Sequence, residues 1–435
     1  MLSLPKTATA PFCPSEVRGS IRIQASAPLW ARLRRFAGPG LLVAIGYMDP
    51  GNWATDIEAG ARFGYALLWV VAISSIAAMF LQLLTARLGL VTGKDLAQLS
   101  HERYGPLGRT IQWLGAEVAI IACDVAEVLG CALAFNLMLG VPLEWGIVLT
   151  VLDTLIVLGL KGRGFRQIEA IVLGLIGTIV FCFVAQLTMM PPDWGAVLAG
   201  LVPGNPGHDG QAAIVLALGI VGATIMPHNL YLHSSVVQTR LVTGGRDSIR
   251  ETLGMVRVDT IGSLFIAMLV NGAIMVLAGA AFHASGLTEV SGIDDAYRLI
   301  IPIAGAGAAF LFGLALFASG QSATLTGTIA GQVIMDGFLR LRIPCYQRRL
   351  ITRGLALIPA LAGVLILGDG SVGTLLVWSQ VVLSLQLPLA LWPLIRITSD
   401  RSQMGDFTIG PLTQVIAWSL FLLISGANLL LIFVL

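Results

Sequence analysis

The sequence predicts an all-α polytopic membrane protein of eleven transmembrane helices, and three observations carry that expectation. Hydrophobic residues make up 56% of the 435 positions and charged residues 11%, less than half the roughly 25% charge of a soluble domain. Apolar runs such as Ile261–Ala281 and Gln414–Leu435 reach the roughly 20 residues needed to cross a bilayer. Cutting these runs at glycine, proline and charge clusters gives candidate spans near 37–62, 66–91, 110–139, 144–160, 167–189, 211–239, 256–283, 303–336, 350–367, 371–396 and 412–435. That cut places 24 of the 26 lysines and arginines on one set of alternate connections and leaves only Arg62 and Arg298 on the other. Basic residues mark the cytoplasmic side, so the N-terminus is expected inside and the C-terminus outside. A wrong span count would scramble the alternation.

The composition excludes a nucleic-acid binder, a secreted disulfide scaffold and a cytosolic enzyme. A net charge of +2 adds no steering field. Five cysteines (Cys13, Cys123, Cys131, Cys182, Cys345) form no CxxC pair, so neither a zinc cluster nor a disulfide framework is suggested. Residues 1–35 lack the apolar core of a cleavable signal peptide and are rich in Ser, Pro and Ala; a disordered cytoplasmic tail is expected there. Residues 36–435 are then expected to form one transmembrane domain. The longest connections, about 190–210 and 284–300, are too short to fold alone, so the chemistry must sit inside the helix bundle. No Asn-x-Ser/Thr sequon occurs, which fits a bacterial inner membrane.

Taken in order, the first span reads Gly-Tyr-Met-Asp-Pro-Gly-Asn over Gly46–Asn52. Proline removes a donor and clashes with the preceding turn, so the helix should break in mid-membrane. The third span holds Glu117, Asp124 and Glu127. At about 100° per residue, Asp124 falls about 20° short of two full turns from Glu117, and Glu127 lies about 60° to its other side. Three carboxylates on one stripe cannot face lipid and are candidate proton carriers. The sixth span reads Gly-Ala-Thr-Ile-Met-Pro-His-Asn over Gly222–Asn229, a second interruption. Paired broken helices at corresponding positions of inverted repeats point to a midplane substrate site. Asp49 supplies a hard anionic oxygen, Asn52 an amide oxygen, the unwound backbone near Ala223 a carbonyl, and Met226 a soft thioether. That mixture suits borderline transition ions such as Mn²⁺ and Fe²⁺ better than magnesium or calcium. His228 and His233 titrate near neutrality when unperturbed and are candidates to relay protons. Thr224 and Asn271 either line the path or bond between helices.

At these residues the sequence resembles the Nramp family of proton-coupled divalent metal transporters, whose signatures are Asp-Pro-Gly-Asn on the first span and Met-Pro-His on the sixth. The stretch Gly320–Thr328 with Gly331-Gln332 on the eighth span, and Gln380–Pro388 on the tenth, are similar to the same family. The resemblance covers about residues 35–435. It implies the leucine-transporter fold, with inverted five-helix repeats over about 36–190 and 210–397 and an extra helix at 411–435. It implies metal bound by Asp49, Asn52, Met226 and the Ala223 carbonyl, with Gln380 approaching the ion as the outer gate closes. It also places ninth-span arginines, Arg348 and Arg349 with Arg353 beside them, against the third-span acids as a proton exit.

The resulting expectation is a secondary transporter that imports Mn²⁺ and Fe²⁺, and also Cd²⁺ and Co²⁺, with protons by alternating access. No cofactor stays bound; the cargo is metal and protons, the surroundings are lipid, and neither nucleic acid nor an obligatory protein partner is expected. The alternative is a sodium-coupled amino-acid or amine carrier of the same fold, for which Asp49 and Met226 would be poor neighbours of a substrate carboxylate. A membrane enzyme lacks its parts, since neither HExxH nor GxSxG occurs.

Overall fold

The computed structural model describes residues 18–23, 28–159, 165–204, 209–241, 246–290, 292–339, 345–368, 370 and 372–434. The chain starts with a short strand, β1 (Ile21–Arg22), and a first helix, α1 (Leu29–Phe36). Both fall in the stretch expected to be a disordered tail, and the expectation is corrected there. β1 pairs in parallel with β2 (Arg240–Leu241), and Phe36 at the end of α1 is buried, so pairing and burial order part of what composition alone reads as loose. Residues 1–17 and 24–27 of that tail lie outside the described residues.

The first span is two half-helices, α2 (Pro39–Gly46) and α3 (Pro50–Phe63), each opening on a proline at its first helical position, where a missing N–H is harmless. Then follow α4 (Leu68–Thr92), the short α5 (Leu96–Arg103), α6 (Pro106–Leu139), α7 (Leu143–Gly159), α8 (Phe165–Met189) and the surface turn α9 (Trp194–Ala199). The sixth span is again two pieces, α10 (Gly210–Thr224) and α11 (Pro227–Val236). The rest are α12 (Arg246–Ala281), α13 (Ile293–Leu339), α14 (Cys345–Leu367), α15 (Val372–Thr398), the short α16 (Arg401–Met404) and α17 (Pro411–Val434). Among the described residues, eight helices are long and apolar enough to cross a membrane, two more carry shorter apolar stretches, and the interrupted α2–α3 completes eleven spans. The eighth span starts earlier than the apolar pattern suggests. α13 bends at Gly305, whose φ of 87° only glycine adopts freely, and the segment before the bend is a separate helical piece in what reads as a loop.

The polarity of the bundle is that of a protein dissolved in lipid. Large apolar side chains such as Leu412, Val415, Leu422 and Leu430 of α17 and Ile73 and Ile76 of α4 face outward, while Asp49, Asn52, Gln82, Asp124, Glu127 and His228 are buried. Among the described residues, the most extensive interface joins α6 to α13. At the end carrying most of the arginines, a set of bonds pins the entry to α2. Arg240 pairs with Glu169 at 2.6 Å and donates to the carbonyls of Phe36 and Ala37 at 2.8 Å each. Asp259 accepts from the backbone N–H groups of Gly38 at 3.0 Å and Gly40 at 2.7 Å.

Candidate functional site

The two interruptions meet inside the bundle. At the first, Asp49 caps α3 and its Oδ1 accepts from the Asn52 backbone N–H at 3.0 Å and from the Asn52 side-chain amide at 2.6 Å. Breaking the helix frees carbonyls that lipid could not satisfy. Two of these carbonyls find donors: Asn271 of α12 donates to that of Tyr47 at 2.8 Å, while Trp53 at 3.3 Å and the Ser319 hydroxyl donate to that of Met48. Asn271 is therefore a bond between helices. Thr224 is turned back onto its own helix, donating to the Ile220 carbonyl at 2.6 Å.

At the second interruption, Ile225 leaves helical geometry and Met226 becomes the residue before α11, with Pro227 in the first helical position. The Ala223 carbonyl at the end of α10 accepts from the Asn52 amide at 3.1 Å. Helix C-termini carry partial negative charge and attract cations. Gln380 of α15 packs onto Gly51, where any side chain would overlap its amide, and lies beside the Asp49 carboxyl. Asp49, Asn52, Ala223 and Gln380 are thus brought together by direct contact. Met226 follows Ala223 by three residues, is fully buried, and receives the Asn229 amide on its sulfur at 3.7 Å. Asp49 Oδ2 is buried with no hydrogen-bond partner among the described atoms. A carboxylate, a side-chain amide and a peptide oxygen meet here, and among the described residues no basic side chain pairs with the carboxylate.

Asp56 is a buried acid that sequence reasoning passed over. It sits one turn beyond Asn52 and two turns beyond Asp49 on α3, with Oδ2 unpartnered. The seven-residue spacing from Asp49 on a half-helix was the signal that could have found it.

Glu117, Asp124 and Glu127 are all buried in α6. α13 approaches Asp124 and Glu127 at Gly327, where an added Cβ would lie 2.6 Å from Glu127 Oε1 and 3.2 Å from Asp124 Oδ1. The buried Arg353 guanidinium of α14 lies 3.8 Å from Glu127 Oε2. Arg353 is thus the ninth-span arginine seen against the acids, whereas the side chains of Arg348 and Arg349 lie outside the described residues. His228 places Nε2 at 3.6 Å from the Cys123 sulfur. His233 stands in a different network: its Nδ1 meets Gln82 Oε1 at 2.9 Å, and the Gln82 amide donates to the Tyr47 hydroxyl at 2.9 Å. It ties α11 to α4 and to the first interruption, away from the acids.

Comparisons with known proteins agree with this geometry. Residues 40–434 match the Nramp family, described as natural resistance-associated macrophage protein-like. The divalent metal cation transporter MntH of Ralstonia nicotianae is 63% identical over 431 residues, covering 99% of this chain and 98% of that protein. A crystal structure of a variant of the Eremococcus coleocola manganese transporter is 36% identical and superposes with a TM-score of 0.90, covering 96% of this chain and 90% of the other. Mhp1, a nucleobase-cation-symport-1 family transporter, is similar in fold alone, at 16% identity and a TM-score of 0.63 over 99% of this chain and 95% of the other. Two half-helix pairs meeting at mid-bundle, in a frame shared with transporters of unrelated cargo, make this the leucine-transporter fold, and the chain belongs to the Nramp family.

Proposed function

We propose that the chain imports divalent transition metal ions, Mn²⁺ and Fe²⁺ and also Cd²⁺ and Co²⁺, together with protons, by alternating access. The observation that carries the metal reading is the meeting of the Asp49 carboxylate and the Asn52 amide with the Ala223 carbonyl across the two interruptions, at 2.6 and 3.1 Å. An ion entering there displaces the Asn52 amide bonds and gains Asp49 and Ala223 oxygens. Met226 adds the soft contact that hard ions barely use. The relatives named as divalent cation and manganese transporters support the same cargo. Proton coupling rests on the buried acids of α6 and on Arg353 beside them, and His228 links that group to the metal site. The basic connections set the N-terminus in the cytoplasm and the C-terminus outside, in a bacterial inner membrane.

An amino-acid carrier of the same fold needs free donors for a substrate carboxylate, but the α3 N-terminus is already occupied by Asp49. The test is uptake by liposomes containing the purified protein. Mn²⁺ and Cd²⁺ are expected to enter faster with an inward proton gradient, and Mg²⁺ and Ca²⁺ to be rejected. Equal uptake of all four ions, without any effect of the gradient, would overturn the reading.

A further inference from the structure

The transport reading gives α1 (Leu29–Phe36) no task, yet the helix carries three arginines and no acid. One side of it is committed to the bundle. Arg32 pairs with Glu251 of α12, and Leu33 and the buried Phe36 pack with Met255 and Val256 of the same helix. Arg166, at the start of α8, donates to the carbonyls of Ala37 at 2.6 Å, of Arg34 at 3.3 Å and of Arg35. The other side is open. Leu29 is 61% exposed and Trp30 75%. Arg34 and Arg35 are exposed as well, and neither side chain has an acidic partner among the described residues. Trp30 and Arg34, four residues apart, lie on one face.

The helices that hold α1 give its depth. On α12 the exposed side chains are charged at Arg246, Asp247, Arg250, Glu251 and Arg257, and apolar from Val258 through Ile261 and Phe265. Phe36 packs just before that change, on Met255 and Val256. α8 repeats the pattern, with Arg166 standing ahead of the exposed Ile171 and Leu173. Such a change marks where a span enters hydrocarbon. α1 therefore lies at the membrane surface with its free face turned away from the bundle. Tryptophan and arginine both favour that layer, the ring at the edge of the acyl chains and the guanidinium among the headgroups. Two free positive charges with no negative one beside them complement anionic phosphate.

We propose that α1 is an interfacial anchor: Arg34 and Arg35 bind the phosphates of anionic phospholipids in the adjoining leaflet, Trp30 inserts beside them, and the bound lipid holds the start of α2. The occupant is the lipid surrounding the same molecule. The link to α2 is short, since α1 ends at Phe36 and α2 begins at Pro39. Arg240 grips the carbonyls of Phe36 and Ala37 between them, so a helix fixed at the surface also fixes the entry to the first half-helix. The anchor is independent of which ion the chain carries.

The test uses the full chain in lipid nanodiscs of phosphatidylcholine with brominated acyl chains, with and without phosphatidylglycerol at constant bromine content. The chain has nine tryptophans, so the Trp30 signal is read as the difference between wild type and Trp30→Phe. Bromine is expected to quench it, about twofold more strongly when phosphatidylglycerol is present. The double variant Arg34→Gln, Arg35→Gln is expected to lose that increment, and Arg34→Lys, Arg35→Lys, which keeps both charges, to retain most of it. Hydrogen exchange at Gly38 and Gly40 is expected to slow on adding phosphatidylglycerol to wild type and to stay unchanged in the Gln variant. A Trp30 signal that bromine does not quench would mean that water or a protein covers this face, and would overturn the anchor. Quenching that ignores phosphatidylglycerol, or an increment that survives in the Gln variant, would overturn headgroup binding by the two arginines. Phosphatidylglycerol-dependent quenching without slower exchange at Gly38 and Gly40 would overturn the hold on α2. Quenching that falls when discs hold two chains instead of one would assign the face to a second copy and overturn the lipid as its occupant.

Discussion

In the proposed metal site Asp49 supplies the acidic ligand, and its second oxygen is buried with no hydrogen-bond partner among the described atoms. Asp49→Ala is therefore expected to abolish uptake of every divalent ion; near-normal Mn²⁺ uptake by a correctly folded variant would remove it from the site. Met226 acts differently, because a thioether adds to transition ions and little to hard ones. Met226→Ala is expected to lower Cd²⁺ uptake strongly and Mn²⁺ uptake less, and to let excess Ca²⁺ or Mg²⁺ compete. Competition assays measure this, and unchanged discrimination would move selectivity to dehydration or geometry elsewhere. The residues of this site were legible because proline and glycine beside Asp, Asn and Met in an apolar run have no packing explanation. The placement of Asp56 was not, because one more acid looks ordinary until a fold supplies its neighbours. His233 illustrates the reverse: the sequence marks it as a titratable group near the site, and only the structure reveals that Gln82, itself held to Tyr47, engages it.

At the scale of the element, interruption works because freed carbonyls find side-chain donors on other elements: that of Tyr47 from α12, that of Met48 from α3 and α13, and that of Ala223 from α3. The charge-alternation argument located eleven spans, and the structure moves their ends by up to about ten residues, most at the starts of α12 and α13, without changing the count. Hydropathy cannot see where a helix begins beyond the apolar core, which is why the acidic start of α13 at Asp294 and Asp295 read as loop. α5 was likewise hidden in a polar connection, although Asp95 and Gln98 form a capping box at its start. That cap carries a pH dependence. Burial, reinforced by Asp336 and opposed by bonding to Gln98 and by Arg18, raises Asp95 from 3.8 to about 7. The folded chain then holds a proton that the unfolded chain has released over the window from about 4 to 7, so the contribution to stability falls as pH rises through it. Asn caps helices about as well as Asp and cannot ionise. Asp95→Asn is expected to raise the unfolding temperature relative to wild type at pH 8 and to lose most of that advantage at pH 5. An equal difference at both pH values would remove the ionisation from the explanation.

Across the whole molecule, the proposed alternating access would have the ends of the bundle open in turn around a fixed centre, and the bonds at the basic end are the contacts that would then have to give way. The entry to α2 is held by Arg240 with Glu169 and the carbonyls of Phe36 and Ala37, and by Asp259 with two glycine N–H groups. α2 is only eight residues long and ends at the first interruption, so releasing its start leaves a half-helix with little to hold it except packing. The sequence marks this end as basic without distinguishing a salt bridge from a topology signal, because both use arginine. Asp259→Ala keeps the helix and removes both acceptors. Each orphaned donor costs about 1–3 kcal/mol when buried, and 1.4 kcal/mol is about a tenfold change in an opening equilibrium. Hydrogen exchange at Gly38, Gly40 and the rest of α2 is therefore expected to quicken about tenfold or more in Asp259→Ala, with exchange in α3 and α17 unchanged. Uniform acceleration across the bundle would mean that the substitution destabilises the fold as a whole, and no acceleration in α2 would mean that these bonds do not restrain the basic end.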